Sequence, residues 1–241
     1  MKISGCIPMY NENRVIAKTA KTLSDYMSSH FEDYEILFCS DGSKDGCDET
    51  VRALNLPRVR VIGYKDNRGK GCAVRTAMLE ATGDVRMFTD ADLAYGTDVI
   101  EAVAKAFEAD PDAELVIGSR NLKKDGYEGY TWIRRLASKA YIRVLCIAGD
   151  FRLSDSQCGC KAFSAKAATK IFPRCEVNGF AFDFEAILWA VKYKFKIVEI
   201  PVRVINHGES KVHMVRDTFR MLRDLRKMKK RIRKVSVENE K

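Results

Sequence analysis

The chain has 241 residues, 46% of them hydrophobic, enough for one sizeable core and one α/β domain. Its net charge of +9 is concentrated: residues 211–234 carry 11 Lys/Arg against Asp217 and Asp224, and the remainder balances. No run approaches the roughly 18–20 apolar residues of a membrane span, and eight cysteines without a C-x-x-C pair argue against a zinc or disulfide framework and for reduced thiols in a cytoplasmic protein.

Met1-Lys2-Ile3-Ser4-Gly5-Cys6-Ile7-Pro8 reads as a first strand, 3–8, ended by proline, not as a signal peptide. Short runs rich in Ile, Val and Phe follow at 34–39, 59–64, 85–89 and 115–118, and helical spacing fills 13–30, 46–55, 70–82 and 97–109. That alternation predicts β-α-β units: a Rossmann-like, mostly parallel sheet with helices on both faces. Asp110-Pro111-Asp112 breaks the chain before the strand at 115. The second half reads as more helical, with one further strand at 196–205.

Two segments there are amphipathic and basic. In 132–148 the apolar positions are Ile133, Leu136, Ala140, Val144 and Ile147, beside Arg134, Arg135, Lys139 and Arg143. Near the C-terminus they are Val212, Val215, Phe219, Leu222, Leu225, Met228 and Ile232. Both have the spacing of a helix lying in a membrane interface, and the first equally suits packing on its own core. The expected division is a domain over 1–210 followed by a basic amphipathic helix and tail over 211–241. With Phe219 its single aromatic, the tail lacks a stacking pattern for nucleic acid.

Ligands of open α/β sheets bind beyond the carboxyl ends of the strands. Those ends read Pro8-Met9-Tyr10-Asn11-Glu12, Ser40-Asp41-Gly42-Ser43-Lys44-Asp45, Thr89-Asp90-Ala91-Asp92 and Gly118-Ser119-Arg120. Carboxylates gathered on one edge repel unless a cation or donor groups share the site. Helix capping is one reading, well suited to Asp41 and Asp98. The other is a hard cation, Mg²⁺ or Mn²⁺, held by Asp90 and Asp92 with substrate phosphate oxygens and acting as a Lewis acid. The first strand is not followed by G-x-G-x-x-G, which argues against a dehydrogenase.

These four segments, taken together, resemble glycosyltransferase family 2, of GT-A fold. Asp155-Ser156-Gln157-Cys158-Gly159-Cys160-Lys161-Ala162-Phe163, Ala181-Phe182-Asp183-Phe184-Glu185 and Gly208-Glu209-Ser210-Lys211 narrow the likeness to its dolichyl-phosphate β-glucosyltransferase branch, kin to the dolichol-phosphate mannose synthases. The resemblance implies a nucleotide-binding loop with Pro8, Tyr10 and Glu12, and Asp41 beside Cys39 at the base edge. It further implies Asp90 and Asp92 on the metal, Ala91 against the nucleotide, and Arg120 and Lys211 on phosphate. Asp92, Asp183, Arg120 and Lys211 are the expected catalytic residues. Three positions depart from the pattern: Ser40 where an aspartate is usual, Cys160 where an aromatic is common, and Ile205 where mannosyl enzymes carry an arginine, for which Arg203 or His207 would have to stand in.

The implied activity is inverting transfer of a hexose, glucose favoured, from UDP-glucose or GDP-mannose to a polyprenyl or dolichyl phosphate. The protein would be cytoplasmic, peripheral on the inner face of an anionic membrane, with no nucleic-acid partner. Three rivals share the motifs: a sugar-hydroxyl acceptor in surface-polysaccharide synthesis, with Asp183 or Glu185 as base; GDP-mannose-dependent mannosyl transfer to a polyprenyl phosphate; and a non-catalytic membrane-associated nucleotide-binding protein.

Overall fold

Alternate side chains of β1 (Ile3–Met9) serve opposite layers: Ile3, Ile7 and Met9 join one core cluster and Cys6 the other. Such a strand needs helices on both sides. The computed structural model, which describes residues 1–123, 125–126, 132, 142–144, 146–147, 149–205 and 214–236, supplies them. The chain runs on through α1 (Asn13–His30), β2 (Tyr34–Asp41), α2 (Cys47–Ala53), β3 (Val59–Tyr64), α3 (Lys70–Glu80) and β4 (Val85–Phe88). Then come α4 (Asp98–Ala109), β5 (Ala113–Ser119), β6 (Lys161–Ser164), α5 (Ala165–Ile171), α6 (Phe182–Lys192), β7 (Lys196–Pro201) and α7 (Met214–Arg233). One layer holds α1, α2 and α4; the other holds α3, α5, α6 and α7.

The seven strands lie in the order β3-β2-β1-β4-β6-β5-β7. All pairs are parallel except those of β6, which runs antiparallel to β4 and β5. The predicted mixed α/β architecture is therefore present, with β6 as the unforeseen element. Four residues that begin with a lysine give no strand pattern, and only the exposed backbone edges of β4 and β5 create the slot. The reversal matters for the site, because it carries the start of β6, Lys161, to the edge where β4 ends: Lys161 pairs with Phe88. β7 stops at Pro201, short of the expected 205, because the chain then turns to bond its neighbours: Val202 N–H donates to Ser119 O and Ile205 N–H to Ala94 O.

The C-terminal helix is less of an appendage than its sequence suggests. Leu225, Met228 and Ile232 are buried in the α6 layer, so this part of the apolar stripe packs on the protein's own core and is not available to a membrane. Arg223, Arg226, Lys227, Lys230, Arg233 and Lys234 remain exposed, a basic outer face. In the other amphipathic segment Ile142 is buried, whereas Trp132, Val144 and Ile147 are exposed. All eight cysteines are free thiols. Among the described residues no helix is long and apolar enough to cross a membrane.

At the amino edge of the sheet, Glu35 is a structural carboxylate. It accepts from Ser4 Oγ at 2.7 Å, from Thr82 N–H at 2.7 Å and Oγ1 at 2.8 Å, and from Arg60 at 3.1 Å. Burial opposes its charge, yet these donors outweigh burial and bring its pKa from 4.5 to about 2. Its stabilisation is present above the unfolded value and is lost as pH falls through that window. Glu35→Gln should therefore cost about 2 kcal/mol at pH 7, a charged hydrogen-bond network being exchanged for a neutral one. Urea midpoints of the two proteins should converge between pH 4.5 and about 2; a gap that persists unchanged at the acid end would refute this.

Candidate active site at the carboxyl edge of the sheet

The register of β1, β2 and β4 brings three expected loops together: Pro8 lies beside Cys39 and Cys6 beside Phe88. The loops after β1 and β2 are tied to each other. Asn11 N–H donates to Ser43 Oγ at 3.2 Å, Lys44 N–H to Asn11 Oδ1 at 2.9 Å and Asn13 N–H to Asp45 Oδ2 at 2.8 Å. This leaves Tyr10 46% exposed on the rim, an open ring face for a base, with Glu12 partly buried at the start of α1. Pro8 and Cys39 are buried beneath them. Burial, with Cys72 and Asp41 near, pushes the Cys39 thiol up to about 12, so it is a neutral contact surface.

Asp41 is placed at this edge but is already engaged. Its carboxylate accepts from Tyr64 Oη at 2.7 Å, Asn67 Nδ2 at 3.0 Å, Arg68 N–H at 2.8 Å and Gly69 N–H at 2.9 Å. In this conformation it organises the loop after β3; a base edge would share or replace one of these donors. That loop needs a glycine at 69: φ is +106° and a Cβ there would sit 2.4 Å from Asn178 O. Gly71 N–H then bonds Asn178 O at 2.7 Å, fixing the first turn of α3 and with it Lys70.

Asp90-Ala91-Asp92 forms a turn straight after β4, and α4 begins only at Asp98, so the pair caps no helix. Leu93 N–H bonds Asp90 O at 3.0 Å, Ala94 N–H bonds Asp92 Oδ1 at 3.0 Å, and Thr19 Oγ1 holds Ala91 O at 2.6 Å. Lys70 reaches in and pairs with Asp90 Oδ1. Desolvation and then the Asp90 charge raise the Asp92 pKa, against the lowering pull of the Ala94 N–H and Lys70. Gly159 backs onto the pair so closely that a Cβ there would lie 2.5 Å from Asp90 Oδ2, so only a glycine fits behind this carboxylate. Two hard carboxylates at an open edge fit Mg²⁺ or Mn²⁺, ions that take one or two carboxylates and complete their shell with water and phosphate oxygens.

Asp183, at the start of α6, faces the same cluster. Its Oδ2 pairs with Lys161 Nζ at 3.1 Å, while Oδ1 is buried with no hydrogen-bond partner among the described residues. Lys161 is fully buried, donating also to Cys158 O at 2.7 Å. Burial raises the Asp183 pKa, against the lowering pull of Lys161 and Lys70. Glu185, the alternative base, is turned away: it binds Glu176 and Val177 N–H groups and pairs with Arg231. Arg120 forms a two-pronged pair with the fully buried Asp155, Nε–Oδ2 2.6 Å and Nη2–Oδ1 3.0 Å. It is a held guanidinium, not a mobile one. Lys211 and His207 lie outside the described residues. Ile205 is exposed beside the Asp92 loop, and Arg203 stands 3.8 Å from Asp125.

Sequence reasoning passed over Lys70 and Lys161, the two cations of the cluster. Gly69-Lys70-Gly71 after the third strand was a signal of the same kind as the other strand ends, and Lys161 stood inside a quoted motif without a role.

The model of the family described as Glycosyl transferase family 2 matches residues 4–172. The dolichyl-phosphate beta-glucosyltransferase of Saccharomyces cerevisiae is 31% identical over 243 residues, spanning 92% of this chain and 72% of that protein. A dolichyl-phosphate beta-glucosyltransferase of Trichomonas vaginalis is 30% identical over 218 residues, with 86% of this chain and 64% of that one covered. The chain thus spans 72% and 64% of the lengths of these two relatives. In structure it is similar to glucosyl-3-phosphoglycerate synthase from Mycobacterium tuberculosis, solved with Mn²⁺, UDP and glucosyl-3-phosphoglycerate: TM-score 0.69, 16% identity, 98% of this chain and 81% of that one. At that identity the likeness establishes the fold. With a family model covering most of its length and a 31% identical relative, the chain belongs to glycosyl transferase family 2.

Proposed function

We propose that the protein transfers glucose from UDP-glucose to a polyprenyl phosphate of the dolichyl type, inverting the anomeric centre. The observation that carries the chemistry is the Asp90/Asp92 pair at the open edge, with Lys70 and Lys161 beside it and Tyr10 on the rim. The likeness to dolichyl-phosphate beta-glucosyltransferases supports the choice of sugar and acceptor. A divalent ion bound by Asp90 and Asp92 would act as a Lewis acid on the departing diphosphate. Tyr10 offers its ring to the base and Glu12 its carboxylate to ribose hydroxyls. Ala91 and Pro8 set how deep the nucleotide sits. Cys39 and Asp41 lie under the base, and Arg120 and Lys211 are assigned to phosphate charge, Arg120 with its orientation fixed by Asp155.

A polyprenyl phosphate oxygen is already anionic near neutral pH, so attack needs alignment more than proton removal. Attack opposite the leaving diphosphate forms the new C1–O bond as the old one breaks, which inverts C1. The exposed basic face of α7 and exposed Trp132, Val144 and Ile147 support binding at the cytoplasmic face of an anionic membrane. Each basic residue near such a surface contributes about 1 kcal/mol. The test is formation of the β-linked lipid phosphosugar from UDP-glucose, Mg²⁺ and polyprenyl phosphate. Absence of product with UDP-glucose and GDP-mannose alike would refute the reading.

A second reading rests on Asp183, whose buried, unpartnered Oδ1 and raised pKa suit a general base for a sugar hydroxyl. Asp183→Asn separates the two. With a phosphate acceptor the variant should keep kcat within about tenfold, since no proton is removed; with a hydroxyl acceptor it should lose about 10²–10⁴-fold.

A further inference from the structure

The Lys70 ammonium sits where positive charge is also wanted from a metal ion. It pairs with Asp90 Oδ1, and Asp92 and Asp183 are its other close negative neighbours. Among the described residues the cluster holds three carboxylates and two ammonium groups, and Lys161 is committed to Asp183 and to Cys158 O. Lys70 is therefore the counterion of the Asp90/Asp92 pair when no nucleotide is present. A divalent cation arriving alone meets an ammonium already seated on one of its two carboxylates, and that ammonium repels it. The diphosphate of a nucleotide-sugar changes that balance, because its two negative charges can accept both the metal and the displaced ammonium. Lys70 is suited to the exchange: it lies in the first turn of α3, just beyond the glycine-dependent loop that Asp41 pins, and its long side chain can swing while its backbone stays fixed.

We propose that Lys70 is a stand-in cation that makes metal and nucleotide bind together: it guards Asp90 in the free protein and leaves it for the diphosphate when the metal–nucleotide pair enters. The consequence is strong positive coupling between metal and nucleotide, equal in both directions. This rests on Asp90 and Asp92 being the metal ligands. A lysine of purely structural use would leave the coupling untouched.

The experiment is Mn²⁺ binding to the full chain by electron paramagnetic resonance at pH 8, with and without UDP. The wild-type protein should bind Mn²⁺ weakly alone and at least about tenfold more tightly with saturating UDP, within the ordinary range of ligand coupling. Lys70→Met and Lys70→Gln should bind Mn²⁺ alone at least about tenfold more tightly than wild type, with a correspondingly smaller gain from UDP. Lys70→Arg keeps the cation and should keep the wild-type pattern. Unchanged or weaker UDP-free binding in the Met and Gln variants would overturn the proposal while leaving the metal site standing. Should both variants fail to fold, equal Mn²⁺ affinity of the wild type with and without UDP would overturn it. No Mn²⁺ binding by the wild type even with UDP would remove the metal site and this inference together.

Discussion

Asp92→Ala should lower kcat/KM for sugar transfer by about a thousandfold or more while leaving the fold as stable as the wild type. The size follows from the role: Lewis-acid stabilisation of a leaving group supplies several kcal/mol, and each 1.36 kcal/mol is tenfold. The stability side is the more diagnostic half. Asp92 is partly buried, its charge is disfavoured by desolvation and by Asp90, and removing it relieves that repulsion. The loss of its bond to Ala94 N–H offsets the relief, so the net change should lie within about 1 kcal/mol. Kinetics with UDP-glucose and a urea melt of the same sample check both halves. Retained turnover would remove Asp92 from the site, and a collapse in stability would make it a structural turn residue. Asp90→Ala should behave differently, because it also strips Lys70 of its partner.

The parts of this site that could be read from sequence were those made by strand ends. A short buried strand, Val85-Arg86-Met87-Phe88, followed by Asp90-Ala91-Asp92 announces both its own edge and what sits there, and the same holds for Pro8–Glu12 and Asp41. Contacts made by residues far apart in the chain were not legible. Nothing near Glu185 in the sequence separates it from Asp183 two positions earlier, yet helix geometry turns the two acids about 200° apart on α6. One faces the acid cluster and the other the loop at 176–177. The pairing of Arg120 with Asp155 was likewise not legible, because Asp155 enters on a loop 35 residues away. The tail misled for a related reason. Leu225, Met228 and Ile232 have the spacing of a membrane-lying helix, and the same spacing serves a helix packed on a protein core. Only the presence of α6, offering an apolar face, decides for the core.

That docking has a consequence for stability. Glu185→Ala should destabilise the protein by about 3–5 kcal/mol, the cost of breaking a buried ion pair by removing one partner. Glu185 is wholly buried, accepts N–H groups from Glu176 and Val177, and pairs with Arg231 of α7, which also pairs with Glu176. One carboxylate thus fastens α6, the loop after α5 and the C-terminal helix. Its loss strands the two N–H groups in a layer otherwise filled by Leu225, Met228, Ile232 and Trp189, and takes from the guanidinium its buried partner, leaving it the exposed Glu176. Replacing both charges, Glu185→Leu with Arg231→Leu, should recover part of the deficit, since apolar groups of similar volume often substitute for a buried pair without loss. The effect should also reach the active edge: the same loop carries Asn178, whose carbonyl holds Gly71 N–H next to Lys70. Thermal melts of the two variants test the first part, and UDP affinity well below the melting range tests the second. A Glu185→Ala protein as stable as wild type would mean that apolar packing, with Leu225, Met228 and Ile232 in it, holds α7 without this ion pair.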